Sequence, residues 1–145
     1  MEVKKLKKKI LTLILVFSIA SGIIQCTPKS QILKEDDEAI LRTRAREYWD
    51  YRIKSQWDKS YLYESPDYRE KTSVVKYINQ SGRSIIKYEG FDILEVWTTG
   101  NEGHVKVNTK YRYLIPQSKK AAFERVIEEE WIKNNGQWYR LSPMT

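Results

Sequence analysis

The sequence offers few side chains that could act as the acid or base of an enzyme. His104 is the only histidine, and it lies beside a predicted turn on the polar face of its strand, where we expect it to be exposed. Glu128, Glu129 and Glu130 form the other conspicuous group. Because side chains alternate along a strand, Glu128 and Glu130 share one face and Glu129 lies on the other. Glu128 and Glu130 could form a carboxylate pair in a pocket, as acid–base catalysis requires, or a solvated outer face paired with Lys or Arg.

The sequence lacks the residues that a metal or cofactor site would need. One cysteine and one histidine cannot assemble a Cys/His zinc site, and a single cysteine excludes an intramolecular disulfide. The sequence contains no phosphate-binding glycine loop, no nucleophile elbow and no cluster of metal ligands. We therefore predict no catalytic residue, no metal site and no cofactor.

Large aromatic side chains are the remaining candidates for a binding site. All five Trp and all ten Tyr lie beyond residue 26. Tyr and Trp suit a ligand cavity because they combine apolar area with a polar group. In a small domain, however, most large side chains are needed for the core. The candidate pocket-lining residues are Trp49, Trp97, Tyr111, Tyr113, Glu128, Glu130 and Trp131.

The first 25 residues have the parts of a secretory signal peptide. Five lysines and one glutamate give them a net charge of +4, which leaves +3 of the whole-chain +7 for the rest. An apolar run follows at residues 10–24, and as a helix it would be about 22 Å long, short of a hydrocarbon layer of about 30 Å. A signal peptide is therefore favoured over a transmembrane anchor. With more than half of the net positive charge in this segment, we predict no nucleic-acid partner.

Cys26 follows this segment directly, and Ile23-Ile24-Gln25-Cys26 resembles the cleavage site of bacterial lipoproteins. In that family the cysteine sulfur receives a diacylglycerol, the preceding peptide is removed, and the new amino group is often acylated. The family usually has Gly, Ala or Ser at the position of Gln25. The resemblance implies a lipid anchor at Cys26 that holds the protein to a membrane of the cell envelope, facing the periplasm or the exterior. The alternative is ordinary secretion with a free thiol.

The remaining chain is long enough for one domain. We predict a tether at residues 26–35 and a domain at residues 36–145. Apolar residues at helical spacing predict a helix over residues 38–60, and a second helix is expected over residues 67–78.

Beyond residue 84 the pattern changes to strands. Residues 105–113 alternate strictly, which predicts one buried face made of Val105, Val107, Thr109, Tyr111 and Tyr113. Further strands are expected at residues 91–98, 123–133 and 137–141, joined by a Gly-rich turn at 99–103 and an Asn-Gly turn at 134–136. Helices followed by a four-stranded antiparallel meander predict the α+β class.

Several segments resemble the nuclear transport factor 2-like superfamily, also called SnoaL-like or cystatin-like. They are Arg46-Glu47-Tyr48-Trp49, Trp57-Asp58-Lys59-Ser60-Tyr61, Ser65-Pro66-Asp67-Tyr68, Glu130-Trp131 and Asn135-Gly136-Gln137-Trp138-Tyr139-Arg140. The resemblance covers roughly residues 38–141. It implies amino-terminal helices packed in a strongly bent, cone-like antiparallel sheet with a pocket. The fold hosts isomerases, dehydratases, transport factors and assembly modules, so it does not settle function.

Three functions remain open from the sequence. The leading prediction is a membrane-anchored envelope lipoprotein that binds a small apolar ligand or another envelope protein without catalysis. The second is an isomerase- or hydratase-like enzyme that uses a carboxylate in the cone. The third is a structural module that forms a homodimer through the outer face of its sheet, which would require an apolar exposed face.

Overall fold

A computed structural model describes residues 29–81, 85–114 and 122–143 of the 145-residue chain. The predicted signal peptide and the lipid attachment at Cys26 lie outside these ranges and stay predictions. Within the described ranges, no helix is both long and apolar enough to cross a membrane.

Four helices form the amino-terminal half: α1 (Lys29–Ile53), α2 (Trp57–Tyr61), α3 (Pro66–Lys71) and α4 (Val74–Gln80). The expected helix over residues 38–60 is wrong at both ends. It begins at Lys29, so residues 29–35 of the predicted tether are helical, and it ends at Ile53. The break is explained by Ser55, whose φ of 57° is left-handed and cannot continue a right-handed helix.

The second expected helix, residues 67–78, is two helices. Each begins at a serine whose side chain accepts a hydrogen bond from the first helical turn: Ser65 from the Tyr68 amide at 3.2 Å, and Ser73 from the Lys76 amide at 3.3 Å. Serine is a preferred residue at a helix start because its oxygen satisfies an amide that has no partner within the helix. Ser73 therefore begins a new helix, α4, after α3 has ended.

The carboxyl-terminal half is the expected antiparallel meander. Its strands are β1 (Ile86–Thr99), β2 (Glu102–Tyr113), β3 (Phe123–Asn134) and β4 (Gln137–Arg140), and their order in the sheet is β1-β2-β3-β4. The Asn-Gly turn between β3 and β4 is confirmed. Asn135 and Gly136 both have positive φ, 50° and 78°, as a tight two-residue hairpin requires.

The sheet curls around α1, which confirms the predicted α+β class with a strongly bent sheet. Register shifts between Tyr88 and Gly90 and between Ile93 and Glu95 interrupt β1 where it pairs with β2. Such bulges bend a strand and increase its twist. β2 and β3 pair without a shift, so these bulges are confined to the pairing of β1 with β2.

The core lies between α1 and the concave face of the sheet. Leu41, Ala45 and Tyr48 on α1 are buried, and Trp131 and Trp138 are buried on the strands opposite. The predicted alternation of β2 is confirmed for Val105, Val107 and Thr109, which are fully buried. The alternation of buried and exposed residues is less regular towards the end of the strand, where Tyr113 is 38% exposed.

Candidate functional site

The glutamate run in β3 divides as the alternation predicts, and it is Glu129 that faces the concave side. Glu129 is 3% exposed, whereas Glu128 and Glu130 are exposed on the outer face. The reason is register: Glu129 lies opposite the buried Val105 of β2. The carboxylate pair that Glu128 and Glu130 could have formed inside the cone is therefore absent from the concave side.

Trp97 and His104 also lie on the outer face. Their rings stack at 5.0 Å with an interplanar angle of 8°, and His104 Nδ1 is 3.9 Å from Glu128 Oε1. Lysines and an arginine of β2 pair with carboxylates of β1 on the same face: Lys106 with Glu95 at 2.8 Å, Lys110 with Asp92 at 3.5 Å and Arg112 with Glu89 at 3.0 Å. This face is therefore largely a solvated array of ion pairs.

The four other predicted lining residues lie on the concave side but not together. Trp49 and Trp131 are 2% and 1% exposed in the core. Tyr111 and Tyr113 lie at the far end of β2, where both rings contact Phe123, at 5.9 and 5.5 Å. None of the seven predicted residues lines the cavity described below, although Trp49 supports it.

A buried charged cluster, which the sequence reasoning missed, joins β4 to β3 and to the loop before α3. Arg140 donates from Nε to Glu129 Oε1 at 2.8 Å and from Nη1 to Glu64 Oε1 at 3.3 Å. It also donates to the hydroxyl of Ser142. Trp49 Nε1 donates to the second oxygen of Glu129 at 3.3 Å. Each carboxylate thus has a partner, and Arg140 is held from two sides.

Arg52 is the second cation of this region, and aromatic side chains surround it. Nη1 donates to the hydroxyls of Tyr48 at 2.9 Å and Tyr77 at 3.4 Å. The guanidinium carbon lies 4.6 Å from the ring centroid of Trp57 and 5.0 Å from that of Tyr88. Among the described residues, Arg52 forms no ion pair, and its Nε is buried without a hydrogen-bond partner. Cation–π contacts offset part of that cost.

Arg52 and Arg140 line one cavity of about 250 Å³. Its wall includes Arg52, Tyr68, Tyr77, Gln80, Arg140 and Ser142. No described carboxylate lines it, since Glu64 and Glu129 are buried away from the opening. The cavity thus presents two guanidinium groups and several hydroxyls, and a site of this composition favours an anion.

Burial sets the protonation behaviour of Glu64. Burial raises the pKa of this carboxyl above its usual value, and the positive charge of Arg140 opposes the rise only in part. One oxygen, Oε2, has no hydrogen-bond partner. The pKa of the Tyr48 hydroxyl is also raised well above its usual value by burial. Both groups are therefore held towards their neutral forms.

The arginines could have been found from the sequence by their positions in the periodic patterns. Arg52 follows Tyr48 by four residues, so it lies on the helix stripe that contains Leu41, Ala45 and Tyr48. Arg140 follows Trp138 by two residues and so faces inward. A charged residue at a core-facing position of a helix and another at a core-facing position of a strand together indicate a polar site inside the fold. The described residues contain no group of three His, Cys, Asp or Glu that could hold a metal ion.

No family model and no curated protein sequence matches the chain. Among solved structures, a SEC-C motif containing protein from Rhodopseudomonas palustris is 17% identical with a TM-score of 0.48, and the match covers 72% of this chain and 74% of that one. A proposed NTF2-like transpeptidase from Campylobacter jejuni is 12% identical with a TM-score of 0.41, and covers 68% of this chain and 94% of that one. Both similarities are too low to place the chain in a family, so the resemblance over residues 38–141 stays a prediction.

Proposed function

We propose that this protein is a non-catalytic envelope module that binds a small carboxylate or phosphate in the cavity between Arg52 and Arg140. In this proposal, lipid on Cys26 holds the module to the membrane. The leading sequence hypothesis, a ligand-binding lipoprotein, is kept, and its ligand changes from apolar to anionic because of the charges on the cavity wall.

The observation that carries the proposal is that Arg52 forms no ion pair with a carboxylate among the described residues. Arg52 is half-buried and its Nε is fully buried. A cation partly removed from water normally has a carboxylate partner, because desolvating a charge without one is costly. In the described part of the chain Arg52 donates hydrogen bonds only to hydroxyls, and one donor nitrogen is unused. Its charge is felt by Glu64, but the two side chains form neither a hydrogen bond nor an ion pair. An anion in the cavity would supply the missing charge.

The anchoring half of the proposal is supported by sequence features alone. The positive start, the short apolar run and Cys26 occur in the order that a lipoprotein signal requires. A helix that begins at Lys29 would place the domain close to the anchor.

Thermal unfolding of the full chain in nonionic detergent tests the binding half. A ligand that binds only the folded state raises its stability in proportion to RT ln(1 + [L]/Kd). Sodium phosphate and sodium acetate, compared with sodium chloride at equal ionic strength, should raise the unfolding temperature. Arg52→Gln should abolish the increase, while Lys76→Gln, an exposed lysine of α4, should leave it unchanged. Equal curves in all three salts would refute anion binding.

An isomerase- or hydratase-like enzyme is the alternative, and Glu64 is the observation that favours it. A buried carboxyl with a raised pKa and an unbonded oxygen is a typical general acid or base. Catalysis would require Glu64 to reach a bound molecule, yet this side chain is fully buried and does not line the cavity. The homodimer hypothesis has less support, because the outer sheet face carries ion pairs where an apolar surface was required.

A further inference from the structure

A second concave surface lies on the opposite side of β4 from the Arg52–Arg140 cavity. Tyr139 faces it, whereas the next residue, Arg140, faces the cavity. We call it the tyrosine groove. It has a volume of about 500 Å³ and is lined by three tyrosines and three cations: Tyr51, Tyr63, Tyr139, Arg44, Lys59 and Arg69. No candidate residue from the sequence lies in it.

The cations of the groove are positioned by its aromatic rings. The guanidinium carbon of Arg44 lies 4.2 Å from the ring centroid of Tyr63, and that of Arg69 lies 5.8 Å from Tyr139. Lys59 Nζ lies 5.5 Å from the ring of Tyr51. Arg44 is fixed further because its Nε donates to the Trp138 carbonyl at 3.3 Å. Side chains held in this way lose little conformational entropy when they bind a partner.

The positive charge of the groove is not neutralised within the described part of the chain. None of Arg44, Lys59 and Arg69 forms an ion pair there, and Arg69 Nε is buried without a hydrogen-bond partner. One carboxylate, Glu47, lies beside Arg44 on α1 and accepts a hydrogen bond from the hydroxyl of Tyr63 at 2.8 Å. Glu47 keeps its negative charge in that hydrogen bond, but it does not line the groove, whose wall carries three cations and no carboxylate.

The groove is also apolar in part. Leu62 lies in its wall and is 55% exposed. Tyrosine and arginine are the residue types that concentrate binding energy in protein interfaces. A small inorganic anion would use the cations and leave the leucine and the rings in water. A peptide with both acidic and apolar side chains would use all of them.

We propose that the tyrosine groove docks an acidic peptide segment of a partner protein, with its carboxylates on Arg44, Lys59 and Arg69 and an apolar side chain against Leu62. The three cations select the charge of the peptide, and the rings and Leu62 bury its apolar residue. This site is separate from the anion cavity, so it does not depend on the function proposed above.

Fluorescence anisotropy of the full chain in nonionic detergent tests the proposal. The probe is a fluorescein-labelled glutamate-rich peptide with one central leucine. It should bind in low salt and weaken as salt rises. Combined Arg44→Gln, Lys59→Gln and Arg69→Gln substitutions should weaken binding about tenfold, which corresponds to about 1.4 kcal/mol shared among three charge pairs. Leu62→Ser should weaken binding of this peptide but not of a second peptide in which serine replaces the central leucine.

The matched control removes the same number of positive charges elsewhere, from exposed lysines, with Lys54→Gln, Lys76→Gln and Lys87→Gln, and should change affinity less than about twofold. Arg52→Gln should also leave it unchanged. If the triple groove variant unfolds, the exposed Lys59→Gln alone carries the test with a smaller loss. The proposal is overturned if the groove and control variants bind alike, if a lysine-for-glutamate peptide binds as well, or if replacing the peptide's leucine with serine has no effect.

Discussion

Arg140 and Glu129 form a buried ion pair on neighbouring strands, with Nε and Oε1 at 2.8 Å. Both residues point to the concave side, where the side chain of Glu129 is 1% exposed and that of Arg140, which lines the cavity, is 20% exposed. Arg140 spans from this pair to Glu64 in the loop before α3, so a single side chain connects the end of the sheet to the helical half. The cluster thus fixes one wall of the cavity that Arg52 completes.

Glu129→Gln should destabilise the protein by about 2–3 kcal/mol, because it removes the charge from a buried hydrogen bond to Arg140. Glu128→Gln, one residue away on the exposed face, should cost no more than about 1 kcal/mol. Urea unfolding of both variants measures the difference. Equal losses would contradict the burial of Glu129 and the exposure of Glu128.

Gly103→Ala should destabilise the protein because there is no space for a side chain where β2 passes α1. A Cβ at this position would lie 2.5 Å from Leu41 Cδ2 and 2.9 Å from Trp138 Cζ3. Forcing an extra carbon into a packed core costs about 1–3 kcal/mol.

Gly90→Ala is the matched control for Gly103→Ala. Gly90 is also in a strand, but a Cβ there would meet Lys110 at an ordinary 3.6 Å. The shift in the denaturation midpoint should be large for Gly103→Ala and small or stabilising for Gly90→Ala. The reverse order would show that α1 does not pack on β2 at Gly103.

The sequence predicted the sheet better than the helices, for a physical reason. Strict alternation in β2 and the Asn-Gly turn are local signals; the turn is confirmed, and the alternation is confirmed from Val105 to Thr109. The helix stripe did not reveal the break at Ser55, because a serine with positive φ carries no mark in the sequence. α1 also begins earlier than its apolar pattern does.

The candidate site could be predicted only in part. Alternation placed Glu129 on one face of β3 and Glu128 and Glu130 on the other, but it could not show which face is buried. That depended on pairing with Val105, a contact between different strands. Arg52 and Arg140 are 88 positions apart in the chain, and their shared cavity arises only when the sheet curls back over α1.

Cys26→Ala should release the protein from the membrane fraction or leave an uncleaved precursor, because the lipid is predicted to attach to the cysteine sulfur. The intact mass of the native protein should exceed that of residues 26–145 by the mass of attached lipid. Ser30→Ala, a nearby change that leaves the cysteine in place, serves as the control. An unmodified mass with a different amino terminus would rule out the lipoprotein prediction.

Glu64 should make the stability of the protein depend on pH in a predictable direction. In the unfolded chain this carboxyl loses its proton near its usual pKa of 4.5, whereas burial raises its pKa in the folded state. The folded state therefore binds more protons in the window from 4.5 up to that raised pKa, and the free energy of unfolding contributed by Glu64 falls as pH rises through it.

Glu64→Gln isolates this contribution because glutamine has no proton to lose. The stability of Glu64→Gln relative to wild type should increase as pH rises through the window and then become constant. Urea unfolding at a series of pH values measures it, with Glu70→Gln on the exposed side of α3 as the control for removing a glutamate. A relative stability that instead decreases as pH rises towards 4.5 and is constant above it would mean that Arg140 outweighs burial and lowers the pKa of Glu64.

Added phosphate should move the upper end of this pH window, which is set by the folded-state pKa of Glu64, to higher pH if the anion binds beside Arg140. A bound anion would offset part of the positive charge that holds the pKa of Glu64 down. The pH dependence of wild type minus Glu64→Gln, measured in phosphate and in chloride at equal ionic strength, should therefore differ. A window that is identical in both salts, in a protein that phosphate nonetheless stabilises, would place the bound anion away from Arg140 and against the proposed cavity.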